Sequence, residues 1–265
     1  MKNSKRNIRK WIIMVCLLVP FAATAQTDSI AKEPEVFRKN SVKINLSSLA
    51  LNNYNFNYER SLSRKVSFVA GYRTMPSSVI GELPLTDKIF TKVDNEKLRN
   101  DLNKISASNQ TYTGEFRFYG GKHAGARGFY LSLYGRYAKF DVDYDYDYTS
   151  NSNQSYKVPL KSTLTGYGGG LMFGAQWLIA KRVTFDWYII GAHYGKLIGD
   201  GAGKVDLSSL TDSEKQHLKV NLESIVTVKD KKYLDATVNN AGITTKTDAP
   251  FVGVRGLGFS VGIAF

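Results

Sequence analysis

Phe251-Val252-Gly253-Val254-Arg255-Gly256-Leu257-Gly258-Phe259-Ser260-Val261-Gly262-Ile263-Ala264-Phe265 is the stretch whose reading decides the fold. From Leu257 onward the odd positions (Leu257, Phe259, Val261, Ile263, Phe265) are large and apolar, whereas Gly256, Gly258, Ser260, Gly262 and Ala264 are small. Period-two alternation places each set on its own face of a strand. A strand of a water-soluble sandwich usually carries charge on its second face. Here that face has almost no charge and almost no volume. A narrow closed barrel requires this arrangement, with small side chains inside and bulky apolar ones toward lipid.

Working outward, seven more segments alternate in the same way. They centre on Val42/Ile44/Leu46, Tyr54/Phe56/Tyr58, Val66/Phe68/Ala70/Tyr72, Tyr112/Phe116/Phe118, Phe129/Leu131/Leu133/Tyr137, Leu171/Phe173/Ala175/Trp177 and Val183/Phe185/Trp187/Ile189. The expected fold is all-β: an eight-stranded antiparallel up-and-down transmembrane barrel spanning 41–265, with about 9–11 residues per crossing. Link lengths give an independent test. Alternate links are short (61–64, 120–127, 179–181), while 74–110 and 196–250 are long and a hairpin is expected around 149–153. With eight strands, both long links leave from one end of the barrel. Each is expected to contain a short helix: Leu98, Leu102 and Ile105 share one face, and Thr211-Asp212-Ser213-Glu214 forms a capping box before Leu218, Leu222 and Ile225.

Residues 1–25 have the form of a secretory signal peptide. Lys2, Lys5, Arg6, Arg9 and Lys10 precede the apolar run Trp11 to Phe21, and Ala23-Thr24-Ala25 is the cleavage site. Residues 26–40 then form a polar periplasmic tail. The single cysteine, Cys16, lies inside the leader, so no disulfide or thiolate metal site is expected in the mature chain. The formal charge is +13. Nucleic acid would explain it, but the cations cluster instead at the short turns: Arg60, Arg64, Lys65, Lys122, Arg127, Lys181 and Arg182. A ring of cations at the inner rim suits phospholipid phosphates, and no basic groove or reading helix is evident.

Two further constellations stand out. Glu59, Arg73, Glu115, Arg117, Arg136 and Asp186 fall on the inward face, where buried ions need partners. They are expected to form a charge-paired plug, which excludes a general porin. The run Asp141-Val142-Asp143-Tyr144-Asp145-Tyr146-Asp147-Tyr148 starts like a calcium loop but lacks its Gly and Glu. Read as a strand turning at Asn151, it places Asp145 opposite Lys157 and Asp141 opposite Lys161, with Leu131 facing Leu171 and Phe129 facing Phe173. The outer Asp ladder (Asp141, Asp143, Asp145, Asp147) is then solvated ion pairs, or alternatively a bridge through divalent cations to lipopolysaccharide phosphates.

The histidines His123, His193 and His217 have no adjacent Ser or acid arranged for nucleophilic catalysis, and Gly199-Asp200-Gly201-Ala202-Gly203-Lys204 departs from a phosphate loop. No enzyme, cofactor or metal site is therefore expected. The chain resembles the small OmpA/OmpX-type eight-stranded outer-membrane barrels, and in Val42-Lys43-Ile44-Asn45-Leu46 an uncharacterised Gram-negative family of them. In Phe259, Val261, Ile263 and Phe265 it resembles the C-terminal assembly signal of such barrels. The resemblance implies export to the cell outer membrane and contact with outer-membrane lipids and lipopolysaccharide. It also implies insertion by the barrel-assembly machinery; unlike in full-length OmpA-type proteins, no peptidoglycan-binding domain is expected after the barrel. An unknown extracellular ligand or protein is expected at the long links. The alternatives are an outer-membrane lipid-modifying enzyme and a soluble lipocalin-like barrel, which would place its large apolar residues inside.

Overall fold

The computed structural model describes residues 38–83, 96–228 and 231–265. The expected leader and nearly all of the polar tail lie outside the described residues, as does the side chain of Leu98. Strands β1 (Asn40–Asn45), β2 (Tyr54–Ser61), β3 (Val66–Val79), β4 (Ile105–Tyr119), β5 (Gly128–Thr149), β6 (Ser155–Ile179) and β7 (Val183–Lys204) pair antiparallel in chain order. The last strand, named β12 here (Gly253–Ala264), pairs with β7 on one side and β1 on the other, so the eight strands form a ring. Alternation along each strand sets the faces. Phe129, Leu171 and Ile263 point outward with more than half their surface exposed, and Trp187 and Phe259 are exposed too. Glu59, Arg117 and Asp186 are fully buried inside. This is the inverse of a lipocalin-like interior.

The turns 62–65, 120–127 and 180–182 lie at one end, called lower here, and both long connections lie at the other, together with the short links 46–53 and 150–154. The wall is uneven. β1 has 6 residues, but β5, β6 and β7 have 22, 25 and 22. Much of what the sequence suggested as loop is therefore strand. Between β7 and β12 come helix α2 (Asp212–Ser224), the two-residue strands β8 (Thr227–Val228) and β9 (Lys231–Lys232), and a hairpin of β10 (Leu234–Asn239) and β11 (Gly242–Pro250). β11 continues the edge of β7 above β12, pairing Gly242–Pro250 with Lys204–Lys196. The upper wall is thus a sheet of five strands. Helix α2 packs on the face of it that continues the barrel interior, with Leu218 and Leu222 buried against Tyr148, Tyr156, Val158, Leu160, Leu207 and Ile243.

Both halves of the expected capping box at Thr211 and Glu214 are present. Ile225 differs from expectation: it sits at the C-cap, half exposed, because the helix ends there rather than completing another turn. In the other connection Leu102 is on helix α1 (Glu96–Asn103), but Ile105 opens β4 opposite Tyr144, so it does not share the helix face. The β5–β6 register is also offset from expectation. Ser150 N–H donates to Gln154 O at 2.9 Å and Asn153 adopts φ 61°, which centres the turn on Ser152 instead of Asn151. Asp145 therefore faces Pro159 and Asp141 faces Thr163, while Leu131 faces Phe173 and Leu133 faces Leu171. The shift is two residues, an even number, so the faces survive.

A bulge changes the faces elsewhere. Gly174 faces Tyr188 but Phe173 faces Ile190, leaving Ile189 as an extra residue in β7. Beside it in β12, Leu257 has φ 55° and is exposed together with Gly256. Below this point Asp186 and Ser260 face inward, and above it His193 and Arg255 do. Strict alternation from Phe265 would have sent Arg255 outward. Bulges re-aim side chains in this way.

Helix α2 is tied down at both ends by carboxylates. Glu214 accepts from Thr211 N–H at 2.9 Å and Asn151 N–H at 3.0 Å, and Glu223 accepts from Lys232 at 2.7 Å and Ala236 N–H at 3.3 Å. The Thr211 amide and hydroxyl hold the Glu214 carboxyl below the usual carboxylate range, and the bond from Lys232 does the same for Glu223. A lowered folded pKa stabilises the docked helix above the unfolded value of about 4.3 and ceases to do so as pH falls through the folded value. The protection factors of the α2 amides, that is exchange relative to the intrinsic rate at each pH, are therefore expected to fall as pH drops below about 4.3, while those of β1–β4 do not. Leu222→Ala, which removes a fully buried side chain, is expected to cost about 2–5 kcal/mol. Limited proteolysis should then cleave within 205–241 while the ring of strands stays intact.

Candidate functional site

The barrel interior is the site where most of the sequence-predicted residues meet. At its lower level Lys43 Nζ donates to Glu59 at 2.6 Å, Asp186 at 2.8 Å and Gln176 at 2.6 Å. Arg117 donates to Asp186 at 2.6 Å and, through Nε, to Glu115 at 3.0 Å. Arg255 closes the chain of charges by donating to the other oxygen of Glu115. Tyrosine hydroxyls complete the carboxylates: Tyr119 donates to Glu59 at 2.6 Å and Tyr130 to Asp186 at 2.8 Å. The guanidinium of Arg117 lies 4.4 Å from the Tyr130 ring centroid, and that of Arg255 lies 4.8 Å from Tyr188. Lys43, Arg117 and Arg255 thus balance Glu59, Glu115 and Asp186.

These contacts come from β1, β2, β4, β5, β6, β7 and β12, so the network ties the ring together across its diameter. Among the predicted residues, Glu59, Glu115, Arg117 and Asp186 are brought together here. Arg73 and Arg136 are not. They sit one level higher, where Arg73 donates to Asn109 at 3.0 Å and no carboxylate pairs with either guanidinium among the described residues. Lys43, Gln176 and Arg255 were missed. The alternation of Val42, Ile44 and Leu46 already placed Lys43 inward, so its signal was present, whereas Arg255 depends on the bulge.

The other predicted sets fall as follows. Arg60, Arg64, Lys65, Lys122, Arg127, Lys181 and Arg182 all lie on the lower turns or their edges. Lys65 there donates to the carbonyls of Gly121 and His123, the latter at 2.8 Å. The Asp ladder runs up the outward face of β5, opposite the face that holds α2. Lys157 pairs with Asp145 at 3.1 Å, Lys104 with Asp147 at 2.9 Å, and Thr163 Oγ1 donates to Asp141 at 2.7 Å. The predicted Asp145–Lys157 pair forms diagonally, but Lys161 stands opposite Asp143, not Asp141, because of the shifted turn. Among the described residues no three His, Cys, Asp or Glu side chains gather as a metal site.

Phe259, Val261, Ile263 and Phe265 lie on the outward face of β12 or just beyond its end. His123 and His217 are exposed, and His193 is buried in the interior with Nδ1 3.3 Å from the Tyr134 hydroxyl. At the edge of the tall wall, Asp200, Asp248, Lys246, Lys232, Asp235 and Glu223 line a recess of about 940 Å³.

No protein family and no curated protein matches the chain. Among solved structures, the N-terminal β-barrel domain of Pseudomonas aeruginosa OprF aligns with 86% of this chain and 98% of its own, at 9% identity and a TM-score of 0.31. Agreement that loose adds nothing to the strand pairings themselves.

Removing one member of a balanced buried network leaves an uncompensated charge. Lys43→Met strands Glu59 and Asp186 and is expected to cost about 3–5 kcal/mol. Urea unfolding of the barrel in lipid should show this as a lower midpoint. Lys157→Met, on the exposed ladder, should change stability by less than about 1 kcal/mol in the same experiment.

Proposed function

We propose that this chain is an outer-membrane β-barrel with a closed interior, anchored in lipid by its outward apolar band and acting as a structural or surface-binding protein through its upper module. The observation that carries the reading is the inversion of the barrel. Phe116, Phe129, Leu133, Leu171, Ile190 and Ile263 are exposed on the outside while Lys43, Glu59, Arg117 and Asp186 are buried within. Such a band has no stable solution in water, and hydrocarbon matches it. A closed ring of antiparallel strands leaves no unpaired edge along most of its height, as a bilayer requires.

In this reading the lower turns face the periplasm and their cations meet phospholipid phosphates. The tall wall, α2 and the Asp ladder stand outside the cell among lipopolysaccharide. The mixed-charge recess beside Asp200 and Lys246 is the surface for an extracellular ligand or protein. The outward alternation of β12 is what the barrel-assembly machinery would read. Catalysis on lipid, through His193 or His217 beside an acid or serine at the rim, is the competing idea; His193 faces Tyr134 inside the barrel, and the Glu214 carboxylate one turn before His217 is held by the Thr211 and Asn151 amides.

The test is fractionation followed by electrophoresis with and without boiling, and then reconstitution in planar bilayers. A heat-dependent mobility shift in the outer-membrane fraction is expected, with no stable conductance steps. Recovery in the soluble periplasm, or channels of porin size, would refute the reading. The apolar band is predicted to be intolerant of charge. Leu171→Lys is expected to cost about 2–4 kcal/mol in lipid and to lower the yield of the heat-modifiable form.

A further inference from the structure

Above the balanced plug the interior changes character. Arg73 on β3 and Arg136 on β5 flank β4, paired with Thr111 and Thr113, which are two residues apart on the same face. Their backbones are about 12 Å apart, within reach of one small group held between the two side chains. His193 reaches this level beside Tyr134, two residues before Arg136 on β5, whose hydroxyl lies 3.3 Å from its Nδ1. None of the described carboxylates pairs with Arg73 or Arg136, because Glu59, Glu115 and Asp186 are all committed to the level below.

Three polar atoms at this level have no hydrogen-bond partner although buried: Nε of Arg73, Nε of Arg136 and Nε2 of His193. The His193 residue is itself only 6% exposed. Arg73 and Arg136 are half-buried, and shielded donors left unmade on a cation without counter-charge are costly.

We propose that Arg73 and Arg136, with His193 beside them, form a lumenal binding site for a phosphate group. Paired guanidinium forks match the oxygens of phosphate and give it charge-assisted bonds that a point charge would not. The wall beside the chamber is open to two sources of such a group. β1 ends at Asn45 opposite Ser260, so Gly253–Gly258 have a strand partner only in β7. The chain departs there into the turn Ser47–Leu51 and returns at Tyr54. Arg255 stands on one side of this break, and Arg73 lies one strand beyond the other side, opposite Asn55 of β2. Free phosphate would arrive from the upper mouth, and a lipid phosphate through the gap in the wall.

The experiment uses the full barrel, refolded in dodecyl maltoside micelles, which carry no phosphate, in phosphate-free buffer and checked by its heat-dependent mobility shift. Thermal unfolding is followed with inorganic phosphate, with potassium chloride at equal ionic strength, and with micelles doped with phosphatidic acid. Phosphate, or phosphatidic acid in its place, is expected to raise the unfolding temperature of the native protein where chloride does not; which of them acts names the source. In Arg73→Gln/Arg136→Gln that stabilisation is expected to disappear, while the unfolding temperature without ligand rises because two unpaired cations are gone. Should the double variant not shift on boiling, Arg136→Gln alone is expected to weaken the response at least about tenfold, the worth of one lost charge-assisted contact. No response of the native protein to either phosphate compound, or an equal response in the variants, overturns the proposal. Failure of the barrel reading would show separately, as loss of the mobility shift in the native protein.

Discussion

Everything in this structure answers to the placement of Lys43 between Glu59 and Asp186, at 2.6 and 2.8 Å. A ring of eight strands whose outside is apolar has no apolar residues left to fill its inside. The interior must then be built from polar groups, and polar groups out of water must satisfy one another completely. Lys43 and Arg117 do so by sharing Asp186, and Arg117 and Arg255 by sharing Glu115. Tyrosines on β4, β5 and β7 supply both the remaining donors and the volume. The network fixes which residues of seven different strands share a level. It therefore acts as a register lock that backbone hydrogen bonding by itself lacks.

The uneven wall is the second organising feature. β5, β6 and β7 carry their pairing well above β1 and β2, and β11 adds to them where β12 has stopped. An isolated extension of this length would be an exposed sheet with a bare apolar face. Helix α2 removes that liability by burying Leu218 and Leu222 on it, with Glu214 and Glu223 fastening the two ends. Where β6 and β7 cross the top of the barrel they approach unusually closely. A Cβ on Gly168 would fall 2.6 Å from the Tyr194 carbonyl, and one on Gly195 would meet the Tyr167 carbonyl. Glycine at both positions is thus a condition of the tall wall.

The contrast between the two levels of the interior follows from charge balance. Below, cations and carboxylates cancel and the tyrosines pack among them. Above, Arg73 and Arg136 stand against glycines, threonines and His193, with the hydrogen-bonded wall interrupted between β1 and β12. A structural plug would have no use for that second level. It is where the proposed phosphate site lies.

The order, direction and facing of the eight strands were legible in the amino-acid sequence, because a side chain's face depends only on the parity of its position. Link lengths fixed which end carries the long excursions for the same local reason. The capping box at Thr211 and the inward set Glu59, Glu115, Arg117 and Asp186 were readable too. What parity could not reach were the places where it is broken or where it ceases to matter. The extra residue at Ile189 and the left-handed Leu257 turn Arg255 from lipid to lumen, and no composition signal marks them. The turn at Ser152 instead of Asn151 moved every partner of the Asp ladder by two while leaving each on its face. Whether a polar stretch becomes loop or continues as strand was decided by what packs on it, and α2 lies more than 50 residues further along the chain from the Tyr156 it covers. Local pattern determines which way a side chain points, and only the closed tertiary structure determines what it meets.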